Sequence, residues 1–144
     1  KGDTVSVPND AANEGRALQL LEQKGLIKIK SGVTNPTTRD ITENKLNLKI
    51  TELDAAQTAR SMNDVDAAIV NNDIAAAAKL TPSKAISVEK IGKNSAPFIN
   101  IIAAASKKDK KNATYKKIVK AYQTKQTEKL MKKYYKGSTV PAWK

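Results

Sequence analysis

Hydrophobic and polar positions change period several times along the chain, and each change predicts an element. Residues 4–8 (TVSVP) alternate apolar and polar and end at a proline, the pattern of a short strand. Asn9 and Asp10 then stand as N-cap candidates for a helix with Leu18, Leu20 and Leu21 on its apolar side and a stop at Gly25. Residues 26–40 combine a short alternation, Leu26-Ile27-Lys28-Ile29, with a turn-rich stretch from Ser31 to Pro36. Asp40 to Asn44 suggests a short helix, and LKITEL at 48–53 alternates cleanly as a strand with one buried face.

Asp54 followed by Gln57 is a capping-box signature for a helix reaching about Met62. VDAAIV at 65–70 is a compact apolar run ending in Asn71-Asn72, as a buried parallel strand would. Asp73 opens a further helix through the alanines to Leu80, closed by Thr81-Pro82. Residues 85–91 and 97–105 are two more strand candidates, and the second, PFINIIAAA, is the most apolar segment of the chain. In the last quarter Tyr115, Ile118, Val119 and Tyr122 recur at helical spacing, and a second helix carries Leu130, Met131, Tyr134 and Tyr135 before Gly137. Strands alternating with helices predict an α/β fold with a largely parallel sheet flanked by helices. There is no internal repeat, and no linker long enough to argue for two independent domains.

Composition narrows the chemistry. The 144 residues suit one domain, and 40% hydrophobic content excludes a wholly disordered chain. With neither Cys nor His there are no disulfides, thiolate sites or histidine triads, and zinc has few ligands left. No apolar run approaches the roughly 20 residues needed to span a bilayer. Residues 1–106 hold 13 basic and 12 acidic side chains, whereas residues 107–144 hold 13 lysines against Asp109 and Glu128. Nearly all of the net charge of +12 therefore sits in the tail. Such a tail can hold nucleic acid or an anionic surface through Lys116, Lys117, Lys120, Lys132 and Lys133. The lysines fall between apolar residues at helical spacing, which favours the wet face of helices packed on something. No arginine and no nucleic-acid-reading motif accompanies them, so no specific nucleic acid is expected.

The most informative stretch is PNDAANEGR, residues 8–16. A strand running into a capped helix leaves backbone N–H groups and the positive end of the helix dipole where an anion can sit. Arg16 lies within the first two turns, and its planar fork suits a carboxylate; a surface pairing with Glu14 or Asp10 is the competing reading. Asn71 closes VDAAIV, where ligand groups gather beyond the carboxyl ends of parallel strands. Asn100 interrupts PFINII and needs a polar partner there. Either amide could simply be satisfied by backbone; together they also suit the ammonium and carboxylate of an α-amino acid. No paired carboxylates, glycine-rich phosphate loop or serine nucleophile motif is present, and the chain is not expected to be an enzyme or to need a cofactor or metal.

At this stretch the chain resembles the C-terminal part of the methionine-binding lipoproteins, the solute receptors of methionine-type ABC importers. VSVPNDAANEGRALQLLEQKGLIKIKSG, TTRDITENKLNLKITELDAAQTARSM with its ELxAAQ run, DVDAAIVNNDIAAAAKL, SAPFINIIAAASKKDK and AYQTKQTEKLMKKYYKGSTVPAW follow in family order from Val5 to Trp143. The resemblance implies a two-lobed, periplasmic-binding-protein-like receptor that closes on an amino acid, usually methionine, and delivers it to an ABC permease. It implies that Arg16 binds the ligand carboxylate, that Asn71 and Asn100 bind its polar groups, and that Asn13 assists at the same helix start.

On this basis residues 5–98 are expected to form the second lobe, and residues 99–144 a return strand and Lys-rich helices belonging to the first lobe. The family is nearly twice as long, so the chain is expected to be a truncated receptor with half of the cleft, without the lipid-bearing cysteine and the aromatic residues that hold the methionine side chain. Weak or absent methionine binding, and self-association through exposed first-lobe remnants such as Ile101 and Ile102, are the corresponding expectations. The parent would be an extracytoplasmic, cell-surface lipoprotein.

Overall fold

Val5 and Val7 point to one side of the first strand and Ser6 to the other, and all three are buried. That strand is β1 (Thr4–Pro8) in the computed structural model, which describes residues 1–90 and 92–143. The chain divides into two compact units, Lys1–Leu80 and Thr81–Lys144.

In the first unit β1 is the central strand of a parallel sheet in the order β4-β1-β5, with β4 at Lys49–Leu53 and β5 at Ala67–Ala68. Thr4 faces Lys49 and Pro8 faces Leu53 along one edge, while Val5 and Ser6 face Ala67 and Ala68 along the other. Parallel neighbours require crossovers. Helix α1 (Ala11–Gln23) lies in the first, and α2 (Ala55–Thr58) in the second; α3 (Asn72–Ala77) follows β5. Helix α1 begins where Asp10 accepts the Asn13 backbone N–H, and stops at Lys24-Gly25, where Gly25 takes a φ of +72°. Its inner stripe of Ala17, Leu18 and Leu21 meets Val5, Val7 and Ile27 in the core. Burial of each large member is worth roughly 1.5–3 kcal/mol, so this contact supplies much of the stability of the unit. The α/β arrangement with a parallel sheet flanked by helices is the one the sequence pattern predicts.

Three elements differ. The helix expected to reach Met62 ends at Thr58, with a 3-10 turn at Ser61–Asn63 after it, and of the run 65–70 only Ala67–Ala68 forms strand, half-buried. Residues 40–44 do not form a helix: a 3-10 turn at Thr38–Asp40 gives way to β3 (Ile41–Glu43), which pairs antiparallel with β2 (Lys28–Ile29). Asp40 accepts the backbone N–H and hydroxyl of Thr37, which closes the turn, and the β-branched Ile41 and Thr42 continue as strand.

The second unit contains 3-10 turns at Pro82–Lys84, Lys93–Phe98 and Asp109–Lys111, then α4 (Ala113–Tyr122) and α5 (Lys125–Tyr135). Asn112 and Thr124 cap the two helices through their side-chain oxygens. Both helices sit where the spacing of apolar residues places them. The strands expected at 85–91 and 97–105 are not formed among the described residues; Ile91 itself lies outside these. A strand is held by hydrogen bonds to a neighbour, and the described residues of this unit offer no strand to pair with. The apolar run is left open, with Ile101 79% and Ile86 97% exposed. The apolar faces expected to be packed are largely open: Tyr115, Ile118, Tyr122, Leu130 and Tyr134 are exposed, and Val119, Met131 and Tyr135 are half-buried. Ser95 is the one buried residue described in this unit, whose described residues therefore form no hydrophobic core to receive them. Tyr122 instead meets Trp143 edge to face, with ring centroids 5.8 Å apart. Among the described residues no helix is long and apolar enough to cross a membrane.

Candidate functional site

Strands β1 and β5 are adjacent and parallel, so their carboxyl ends open on the same edge of the sheet. The chain leaving β1 caps α1 with Asp10; the chain leaving β5 reaches Asn71, the N-cap residue of α3. This topology, rather than sequence proximity, brings the two segments together. Asn71 donates through Nδ2 to Oδ1 of Asn13 at 2.7 Å. Asn13 in turn donates through its own Nδ2 to both carboxylate oxygens of Asp10, at 3.1 and 3.0 Å. Arg16 follows Asn13 by three residues and so shares its face of α1, half-buried.

Asn71 is unusual for its position. An asparagine at an N-cap ordinarily uses its oxygen to accept a helix N–H, worth about 1 kcal/mol. Here the side chain makes no cap bond, and Oδ1 is buried with no hydrogen-bond partner among the described residues. An unsatisfied buried acceptor costs about 1–3 kcal/mol. The residue forgoes its ordinary role and leaves an acceptor where a donor would be welcome.

Beneath this edge Glu14 is 6% exposed. It accepts the Thr38 backbone N–H at 3.0 Å, while Glu52 accepts the Thr38 hydroxyl at 2.7 Å. Burial pushes the Glu14 carboxyl above its ordinary value against the opposing effect of the Thr38 N–H, and the neighbouring Glu52 and Asp40 add to the rise. Gly15 lets the 31–36 loop approach α1: a Cβ there would lie 3.0 Å from Pro36 Cδ and 3.2 Å from the Asn35 Cα.

Of the residues singled out in the sequence, Asn13, Asn71 and Arg16 fall in the first unit, with the first two in direct contact. Asn100 lies in the second unit, exposed, in the irregular stretch after the Lys93–Phe98 turn. The sequence offers Asp10 as a helix cap or as a surface partner of Arg16; its bonds to the Asn13 side chain need the side-chain geometry. Lys116, Lys117 and Lys120 are exposed on α4, and Lys132 and Lys133 on α5. A shallow groove lined by Glu22, Gly25, Leu26, Lys28 and Glu43 lies at the opposite end of α1 and has no part in this site. Among the described residues no group of acidic side chains is placed to hold a metal ion.

A sequence model of the NlpA lipoproteins matches residues 1–143. The chain belongs to the NlpA lipoprotein family. The D-methionine-binding lipoprotein MetQ of Escherichia coli is 42% identical over 147 residues, covering 99% of this chain and 52% of the relative. The chain thus spans about half the length of the curated relatives it matches. Among solved structures, the substrate-binding protein of a methionine transporter from Streptococcus pneumoniae superposes with a TM-score of 0.86 at 43% identity, over 99% of this chain and 55% of that one. A nutrient-binding protein from Burkholderia cenocepacia bound to methionine gives a TM-score of 0.82 at 42% identity, over 99% of this chain and 59% of that one. The family recognised in the sequence is therefore the family to which the chain belongs.

Proposed function

We propose that this chain forms the wall of an amino-acid-binding cleft that takes the polar head of the ligand, in a receptor that serves a methionine-type ABC importer. The ligand is methionine or a closely related amino acid or short peptide. Arg16 pairs with its α-carboxylate through the guanidinium fork. Asn71 receives its ammonium, Asn13 holds Asn71 in place, and Asn100 joins the ligand's polar groups in the closed receptor. Residues 5–98 act as the second lobe, and 99–144 as the part that returns to the first. No bond is made or broken; the function is capture and release. The protein acts outside the cytoplasm as a lipoprotein.

The observation that carries this reading is the contact between Asn13 and Asn71 at the carboxyl ends of two adjacent parallel strands, with Arg16 one turn further along the same helix face. Relatives and structural neighbours whose names specify methionine support the choice of ligand. An ion pair and a few hydrogen bonds to the polar head alone are worth about 4 kcal/mol, so this chain should bind L-methionine with a Kd on the order of 1 mM. Calorimetric titration of the chain and of its Arg16→Ala and Arg16→Lys variants tests the reading. Binding that is lost in Arg16→Ala and weakened in Arg16→Lys, which keeps the charge without the fork, supports it. Equal heats for all three proteins would contradict it.

A further inference from the structure

The geometry points to Asp10 as a positioning residue that fixes which polar atom Asn71 offers to the ligand, and so makes the site select the ammonium of an amino acid. The hydrogen bonds form a one-way chain. The Asp10 carboxylate can only accept, and it takes the Asn13 backbone N–H at 3.1 Å and the Asn13 Nδ2 at 3.1 and 3.0 Å. A carboxamide held by its NH2 at one end must present its oxygen at the other. Asn13 Oδ1 therefore accepts, and the group that meets it at 2.7 Å must be the NH2 of Asn71. Asn71 is left with its oxygen as the unpaired atom, buried and without a partner among the described residues.

Turning either amide over would oppose two acceptors. Reversal of Asn13 would place its oxygen against the carboxylate; reversal of Asn71 alone would set oxygen against oxygen at 2.7 Å. With a neutral cap in place of Asp10 the Asn13–Asn71 pair could adopt either sense, and Asn71 could present a donor instead. A donor there would suit a second ligand oxygen, as in a keto acid or a plain carboxylic acid. The orphaned acceptor suits a group that brings protons, and Arg16, one turn further along α1, supplies the complementary charge for the carboxylate of a zwitterion. The sense of the amides stands on these hydrogen bonds alone, whereas its use in choosing a ligand rests on the amino-acid reading above.

The test separates the two. In the labelled, ligand-free chain, NMR should show a coupling across the hydrogen bond from Asn71 Nδ2 to Asn13 Cγ. Asp10→Ser keeps a side-chain oxygen to cap α1, and in that variant the coupling should fall at least twofold. A coupling in the opposite sense, from Asn13 Nδ2 to Asn71 Cγ, or one unchanged in Asp10→Ser, overturns the proposal, as does the absence of both. On titration, L-methionine should shift the Asn71 carboxamide at concentrations at least tenfold below those needed with 4-(methylthio)butanoate, which lacks the amine. That preference should shrink severalfold in Asp10→Ser, although the helix cap is retained. The expected coupling with no response to either compound would overturn the amino-acid reading and the ligand role of Asp10, while leaving the sense of the amides established.

Discussion

Asn71 reaches across 58 positions of sequence to donate to Asn13 at 2.7 Å, and it does so at the expense of capping its own helix. The bond ties the chain leaving β5 to the first turn of α1, the two segments that frame the proposed cleft. Removing the two partners should not be equivalent. Asn13→Ala leaves the Asn71 NH2 without its acceptor beside an oxygen already unpaired, and we expect a loss of about 1–2 kcal/mol. Asn71→Ala removes the orphaned oxygen together with the bond, and should cost less. Urea unfolding of both variants checks the order.

Gly15 should not tolerate a side chain. Alanine is favoured over glycine within a helix by about 1 kcal/mol. Here the added Cβ would press on Pro36 Cδ at 3.0 Å and on the Asn35 and Pro36 backbone at 3.2 Å, and backbone has little room to yield. We expect Gly15→Ala to destabilise the first unit by about 1–3 kcal/mol, with amide shift changes centred on residues 33–37. A neutral or stabilising result would show that the loop is not held against α1.

Glu14 makes stability depend on pH in a sense opposite to that of most carboxylates. Its carboxyl titrates above the ordinary value in the folded chain, chiefly because burial disfavours the charge. Between the unfolded value and the raised folded one the native state holds the extra proton, so stability falls as pH rises through that window. Asp40 works the other way: the Thr37 backbone N–H and hydroxyl lower its carboxyl, and its contribution is lost as pH falls. Glu14→Gln keeps an oxygen for the Thr38 N–H and supplies a donor toward Glu52. We expect the variant to melt roughly 2–5 °C higher at pH 7, with the difference vanishing near pH 4. Thermal melts across that range provide the check.

Two buried hydroxyls lock β1 to the turn after α2. Ser61 gives its proton to the Thr58 carbonyl at 2.8 Å, so Ser6 must be the donor in the 2.7 Å contact between the two serines. Ser61→Ala should therefore strand the Ser6 proton in the core and cost about 1–3 kcal/mol. Adding Ser6→Ala should recover part of that loss, and a double-mutant cycle measures the coupling.

The sequence made the first unit legible because its patterns are local and consistent. The alternation at 4–8 and 48–53, the cap at Asn9 or Asp10 and the Gly25 stop are each carried by adjacent residues, and the structure contains both strands, the cap at Asp10 and the stop. Residues 40–44 misled because a turn closed by Thr37 and Asp40 looks like a helix start until Ile41 finds Ile29 across the sheet. The run PFINIIAAA misled differently. Its composition is that of a buried strand, but pairing is a property of the neighbours, and among the described residues no strand pairs with it. In the candidate site, residue type and position relative to a strand end point to Arg16 and Asn71, whereas Asn13 enters only through the family resemblance. The sense of the hydrogen bonds was not visible, since Asp10 and Asn13 at N-cap and N3 are equally compatible with a helix cap and nothing more.

The most direct measurement is a titration of the 15N-labelled chain with L-methionine, followed through the side-chain signals of Arg16, Asn13 and Asn71. We expect saturable shifts at these three residues at concentrations on the order of millimolar, abolished in an Arg16→Ala variant whose other signals are unchanged. A folded chain in which none of the three responds, or in which methionine perturbs Arg16→Ala to the same extent, would contradict the assignment of this strand edge as the amino-acid site.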